Sequence, residues 1–573
     1  MAVRYLIKIE QPETHYVKVS MKGTAPSGAY FDVCLPSWSP GSYLMREYGR
    51  HIRGFRALDQ SGAYLKFEQM EKGTYRIWPE TSAPKNREYE IQYDVYCHEV
   101  SVRNSYVDTT HAFLHLPTLL MTTVGTDNIS PQLELSFPAL WSKISTGLTD
   151  VSTGRECFLY TAANYDDLID CPIEIGCHET DGFMVKGIPH ELAFYGNSWP
   201  HGQNLKKDIE TIVSHIAGAM GEIPYSRYVF ITHFANGIYG GLEHKNSTAL
   251  HFDGTRLAER KSYVKWMCLV SHEYFHTWNV KRIRPKELGP FNYRQEAYTK
   301  LLWLAEGLTS FMDELYVYRA GLISLEEYLD LQKSNIKSLL ATPGRNFHSL
   351  DESSFNAWIK LYRPDENSAN SSVSYYLKGG VVFFLLNILL KEKGRSIDDL
   401  LQGLWYFYKK RPEQGMDEQE VYHLVGEIGG PDVLGKFQTY VQTTEELPLK
   451  SALAAMGIEM VEESQSMTYI GIKIRGEGER VFVQSVILDG PAYKCGLNAG
   501  DEILAINDAR VLRSDWEDLN KNLLPHKSYQ LLLSRLGKTM SLSLQTAAMP
   551  AEVKELKIVD RQKATQILGG PKA

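Results

Sequence analysis

The stretch Ser271-His272-Glu273-Tyr274-Phe275-His276-Thr277-Trp278 contains the spacing His-Glu-x-x-His. Residues four apart share one face of an α-helix. His272 and His276 would therefore point the same way and could grip one cation, with Glu273 beside it to take a proton from a water. The five-residue pattern also arises by chance, as a helix with two incidental histidines, so the rest of the chain must decide its meaning. The helical condition is met. From Leu257 to Asn279, the residues Tyr263, Trp266, Met267, Val270, Tyr274 and Phe275 recur at three- and four-residue steps. Cys268, one turn before His272, reads as a small core hydrophobe.

A site of this type takes a third protein ligand and keeps a position open for water. A second amphipathic helix, expected over residues 295–319, supplies candidates. Glu306 lies among Trp303, Leu304, Ala305, Gly307 and Leu308. A lone carboxylate buried there would be costly, and a metal would offset that cost. Glu296, Asp313 and Glu314 are rivals on the same helix, with Glu296 placed near its expected start. Upstream, Gly240-Gly241-Leu242-Glu243-His244 precedes a short strand, Thr248–Phe252. The paired glycines allow close backbone approach. An edge strand there could pair with a peptide backbone, with Glu243 facing the ligand. A hairpin turn with one exposed carboxylate is the simpler reading of those residues alone.

The chain has 573 residues, more than one hydrophobic core holds, so two to four domains are expected. It is 43% hydrophobic and 23% charged, the composition of a folded globular chain. A net charge of -8 gives no basic field for nucleic acid. The first apolar run is short and broken by charges, unlike a signal peptide. No apolar run approaches the length of a membrane span, so no membrane partner is expected. The seven cysteines are irregularly spaced and include no Cys-x-x-Cys pair. Free thiols in a reducing compartment, and hence a cytoplasmic location, are expected.

Residues 1–178 read as an antiparallel β-sandwich-like domain. Apolar and polar residues alternate in His15–Val19, Tyr64–Glu68, Tyr89–Tyr96 and Gln132–Phe137, with turn residues between them. The loop Leu35–Tyr48 has two prolines and a glycine. Its aromatic residues suit a contact with another domain, although packing on its own sandwich is the simpler expectation. Residues 179–460 are mainly helical. Asn204–Gly221 has helical spacing, Ser324 and Glu327 form a capping box, and Val381–Leu390 is apolar all round, hence a buried helix. The segment 345–372 is polar and reads as an irregular loop. Strand periodicity returns over residues 461–547, and 548–573 reads as a charged, partly disordered tail.

The pairing of the His272–His276 helix with Trp303–Phe311 resembles the gluzincin metallopeptidases. The run His272–Pro285, with Asn279-Val280-Lys281-Arg282-Ile283-Arg284-Pro285, resembles the glycyl aminopeptidase family more closely, as does Pro36-Ser37-Trp38-Ser39-Pro40-Gly41-Ser42-Tyr43. The resemblance implies a multidomain α+β protein with an N-terminal β domain, a thermolysin-like catalytic domain and a C-terminal PDZ domain. It implies one zinc per chain bound by His272, His276 and Glu306, with Glu273 as general base. Gly240-Gly241-Leu242-Glu243-His244 resembles the exopeptidase motif of related aminopeptidases, where Glu243 would bind the substrate α-amine beside Gly240 and Gly241. That motif usually ends in Asn, and here His244 stands in its place.

Ser374-Tyr375-Tyr376-Leu377-Lys378-Gly379-Gly380 resembles the segment whose tyrosine steadies the oxyanion, and alignment on Lys378-Gly379 selects Tyr376. Arg282 and Arg284 could bind a carboxylate, with surface salt bridges the commoner fate of such residues. Leu488–Leu497 and Gly500–Asn507 resemble a PDZ domain, with Tyr469-Ile470-Gly471-Ile472 as its carboxylate loop. The reading is a zinc aminopeptidase acting on peptides with a free N-terminus, preferring Gly or Ala. A C-terminal peptide is the candidate PDZ ligand, with a domain that only packs against the catalytic unit as the alternative. A zinc endopeptidase, or a PDZ-bearing binding protein with a vestigial metal site, are the alternatives.

Overall fold

The computed structural model describes residues 3–79, 87–154, 158–196, 204–464 and 467–570. Cys157 lies outside them; the other six cysteines are free thiols. The chain divides into two compact units. One comprises residues 1–299, 312–322 and 401–417; the other comprises 300–311, 323–400 and 418–573.

In the first unit the period-two segments are strands. Along Tyr16–Thr24, Val17, Val19 and Met21 are buried while Lys18 and Lys22 face solvent. This strand lies in a seven-stranded sheet between Arg4–Lys8 and Glu88–Tyr96. Two four-stranded sheets complete the N-terminal region, and one apolar core that includes Ile7, Val19, Ile91, Leu133 and Ile173 joins the three. The pairing is antiparallel apart from Arg4–Lys8 with Gln132–Ser136, which run parallel. The Leu35–Tyr48 loop does not simply pack on its own sheets. Trp38 is fully buried, its Nε1 donates to Asn292 O at 3.0 Å, and Ser37 N donates to Tyr293 O at 2.8 Å.

A five-stranded sheet follows, in the order Glu179–Val185, Ile188–Gly196, Tyr228–Phe234, Ser247–Phe252, Gly240–Glu243. Its middle strands are parallel, and every residue of Tyr228–Phe234 is buried, as expected of a strand covered on both faces. Gly240–Glu243 is the edge strand and runs antiparallel to its neighbour. The edge strand expected at Gly240–Glu243 is therefore present, and its carboxylate is buried rather than exposed at a turn. The helix expected over Leu257–Asn279 spans Arg260–Phe275.

The helix expected from residue 295 starts later. It opens as a π turn, Trp303–Gly307, and continues as Leu308–Arg319. Glu296 is consequently outside it and gains nothing from its dipole. In the second unit the Ser324–Glu327 capping box is present. The 345–372 segment is less irregular than its polarity suggests: Ser349 and Glu352 form a second capping box on Leu350–Phe355. Tyr375–Glu392 is buried along most of its faces. The C-terminal fold has a sheet whose edge strand is Ile472–Glu477, plus the helices Pro491–Lys494 and Trp516–Asn522. Asn370 clasps it, donating to Val486 O and accepting from Leu488 N, both at 2.8 Å.

The tail expected to be disordered is ordered through residue 570. Glu552–Ile558 pairs with Ile458–Glu463, and Arg561–Leu568 is a helix that buries Ala564, Ile567 and Leu568. Its charge alternates with apolar residues at both periods, a signal that low aromatic content obscures.

Candidate active site

The Arg260–Phe275 helix carries His272 and Glu273 in its last turn and has His276 as its C-cap. The two imidazole rings lie 4.6 Å apart, edge to face. His272 Nδ1 donates to Asp313 Oδ2 at 2.7 Å, and His276 Nδ1 donates to Asn279 O at 2.5 Å. With Nδ1–H committed on each ring, Nε2 carries the lone pair that a cation would use. Burial lifts the Asp313 carboxyl above its ordinary range, against the pull of the His272 imidazole. Asp313, considered from sequence as a rival ligand, instead orients His272. Only a tertiary contact across 41 positions reveals that role.

Glu273 is buried, and the edge strand passes directly over it. A Cβ on Gly241 would lie 1.9 Å from Glu273 Oε1, so only glycine permits this approach. Arg103 from the N-terminal region holds the strand through a 3.2 Å bond to Gly241 O. Two residues further, Glu243 is 4% exposed, and its Oε1 has no hydrogen-bond partner among the described residues. Glu243, Glu273 and His276 each offer a ligand atom within 4.8 Å of the other two. The Leu35–Tyr48 loop closes over Glu243. A Cβ on Gly41, whose φ is +83°, would lie 2.4 Å from Glu243 Oε2.

His244 turns away from this cluster. Its Nδ1 meets Asp170 Oδ1 at 3.1 Å, and Lys281 Nζ donates to the same oxygen at 2.6 Å. Burial alone would raise the Asp170 carboxyl, but Lys281 and His244 hold it below the usual carboxylate range. Arg282 and Arg284 follow neither expected course. Arg282 donates to the carbonyls of Lys245, Thr277 and Pro224, and Arg284 to those of Glu413, Gly289 and Pro285. They staple backbone segments distant in sequence.

In the second unit, Glu306 is 1% exposed within its π turn. Such turns recur at functional sites because they displace one side chain from the helical face. Gly307 and Gly379 let two helices touch: a Cβ on either would meet the other's Cα within 2.8 Å. That contact sets the start of Tyr375–Glu392 beside the π turn. Burial raises the Tyr376 phenol well above its ordinary value, with the Glu306 charge adding to the rise. Tyr376 OH lies 3.3 Å from Tyr362 OH, a neighbour that no local sequence pattern reveals. Tyr375 is wholly buried, whereas Tyr376 is half-buried, which suits Tyr376 better for contact with a ligand.

Two imidazoles anchored through Nδ1 and a surplus of buried carboxylate suit zinc, since each carboxylate is costly to bury without a cation. The edge strand, the His-Glu-x-x-His helix and the orphaned Glu243 oxygen together define a metallopeptidase of the aminopeptidase type.

Three family profiles match: M61 glycyl aminopeptidase over residues 265–382, the peptidase M61 N-terminal domain over residues 4–177, and a PDZ domain over residues 454–545. The chain belongs to the M61 glycyl aminopeptidase family and is a metallo-aminopeptidase, a hydrolase of peptide bonds. An aminopeptidase N family protein from Idiomarina loihiensis is similar along the whole chain. Its identity is 27% and its TM-score 0.92, over 99% of this chain and 100% of that one. An M1 zinc metallopeptidase from Deinococcus radiodurans shares the fold at 11% identity and TM-score 0.52, over 78% of this chain and 95% of its own. No curated protein matches significantly.

Proposed function

We propose that the enzyme removes small N-terminal residues, Gly or Ala, from peptides, with one zinc held by His272, His276 and Glu306. The observation that carries this reading is Glu243, a buried carboxylate with an orphaned oxygen beside Glu273 and His276. An α-ammonium is the cation that such a group would take from a peptide. Glu306 as third ligand is supported by its burial and by its place about two turns before Asp313 on one continuous helix. The preference for small residues is supported by the Gly41 backbone, which crowds the Glu243 carboxylate.

In this reading the substrate backbone adds to the edge strand Gly240–Glu243, with Gly240 and Gly241 allowing close approach. Zinc, when bound, would supply Lewis-acid activation of the attacking water and the scissile carbonyl. Glu273 takes the proton of the attacking water and delivers it to the leaving amine. Tyr376 donates to the developing oxyanion through a phenol that its surroundings keep protonated. Domain boundaries near residues 178, 460 and 547 belong to the same reading. So does a C-terminal peptide as ligand of the PDZ domain, whose edge strand Ile472–Glu477 is open to strand addition. Among the described residues, no helix is long and apolar enough to cross a membrane. A cytoplasmic site of action remains part of the proposal.

The test is Glu243→Ala, assayed on alanyl and glycyl amides and on N-acetylated peptides. Loss confined to free-amine substrates is expected. Equal loss on both classes would replace the aminopeptidase reading with an endopeptidase one.

A further inference from the structure

A cavity of about 420 Å³ in the second unit lies away from Glu306 and Tyr376 in its lining. Its wall combines Lys378, Arg345, Leu339, Leu340 and Met460 with the segment 444–451, which leads into the C-terminal fold. Lys378 is 3% exposed, yet no carboxylate lies within salt-bridge distance of its Nζ among the described residues. One N–H donates to Thr443 O at 3.2 Å, leaving most of the ammonium's donor capacity unused. Burial pulls this ammonium down to about 8, against the more distant charges of Asp351 and Glu352. Arg345 reaches Glu446 only at 3.5 Å, and that carboxylate is 80% exposed. Glu462, also on the wall, is engaged by Lys450 at 2.7 Å.

We propose that this cavity is a binding site for a small monocarboxylate with an apolar body. Lys378 and Arg345 take the carboxylate, and Leu339, Leu340 and Met460 take the rest. A buried ammonium without a counterion is costly, and a ligand carboxylate removes that cost with charge-assisted hydrogen bonds. The volume falls within the range of small-molecule sites. The glutamates at the rim, Glu445 and Glu446, disfavour a doubly charged phosphate. A ligand there bridges the Tyr375–Glu392 helix and the segment entering the PDZ domain.

Calorimetric titration of the full-length enzyme with N-acetyl-L-leucine tests the site. Saturable binding is expected, weakened about tenfold in Lys378→Met and severalfold in Arg345→Gln. The neutral N-acetyl-L-leucinamide should not bind. Circular dichroism and retained peptidase activity of Arg345→Gln show that the fold is intact. Absence of saturable binding, or equal binding of the amide, overturns the proposal. Binding unchanged in both variants places the carboxylate elsewhere and also overturns it. Inorganic phosphate binding as tightly as the probe overturns the ligand class.

Discussion

The mixed-sheet region behind the His-Glu-x-x-His helix and the C-terminal PDZ fold are both built on β-sheets, but they handle charge differently. The first, together with that helix and the adjoining strand Ile173–Gly176 of the N-terminal region, buries Glu174, His233, Glu243, His251 and Glu273. Between residues 468 and 546, Asp501 is the one charged side chain buried among the described residues. Arg535 grips both its oxygens, at 2.8 and 2.7 Å. Glu174 is similarly satisfied, by His111 at 2.7 Å and His233 at 2.9 Å. Glu243 is not: its Oε1 is buried without a partner. Buried charge is normally paired because its desolvation is expensive. A paired carboxylate holds a fold together, and an unpaired one beside a metal-site helix marks where a ligand completes the structure.

That contrast breaks most sharply at Glu273. Glu273→Gln should lower kcat by about 10³-fold or more, in the upper range for loss of an acid–base group, with metal content unchanged by elemental analysis. Tyr376→Phe should lower kcat by about 10²-fold with little change in KM, the signature of an oxyanion donor. Gly41→Ala should raise KM for free-amine substrates by about tenfold. Its Cβ would fall 2.4 Å from the Glu243 carboxylate, so that carboxylate must move. A KM unchanged from wild type would argue against Glu243 as the amine's partner.

Acid sensitivity separates the two regions further. Burial would raise Glu174, but His233 and His111 bring it down to about 2, below its unfolded value. Its contribution to stability is present above the unfolded carboxylate range and is lost as pH falls toward 2. Burial, aided by His233, pushes His251 down to about 3. This neutral imidazole favours the folded state above the unfolded value of about 6.5, and that favour declines as pH drops toward 3. The two add, so thermal unfolding of the first unit should shift steadily downward between about pH 6.5 and 3. Glu174→Gln should cost about 3 kcal/mol at neutral pH and flatten the part of the curve below about pH 4. The smallest effect on turnover is expected from Arg535→Met. It leaves Asp501 buried without its fork and should lower PDZ stability, while alanyl-amide hydrolysis stays within about twofold. A large loss of hydrolysis would show that the PDZ domain shapes the active site.

Periodicity revealed much of the architecture. The period-two runs became strands, the 3.6-residue period around His272 became a helix, and the Ser324–Glu327 box capped one. These are local signals, carried by residues a few positions apart. The order of the tail beyond residue 548 is not legible locally, because its strand is completed by Ile458–Glu463, about a hundred residues earlier in the chain. The later start of the helix expected from residue 295 is not legible either, because a π turn has no sequence period of its own.

Within the site the same division holds. The spacing alone brings out His272 and His276 as candidate ligands and Glu273 as a candidate base, since four-residue spacing on a helix requires no other part of the chain. The sequence also supplies Glu306, Glu243 and Tyr376 as candidates, through resemblance to a family. The packed fold reveals that Asp313 orients His272, that His244 belongs to Asp170, and that Gly241 and Gly41 let backbone meet carboxylate. Those are contacts between distant segments, and they depend on how strands and loops pack, which no local pattern encodes.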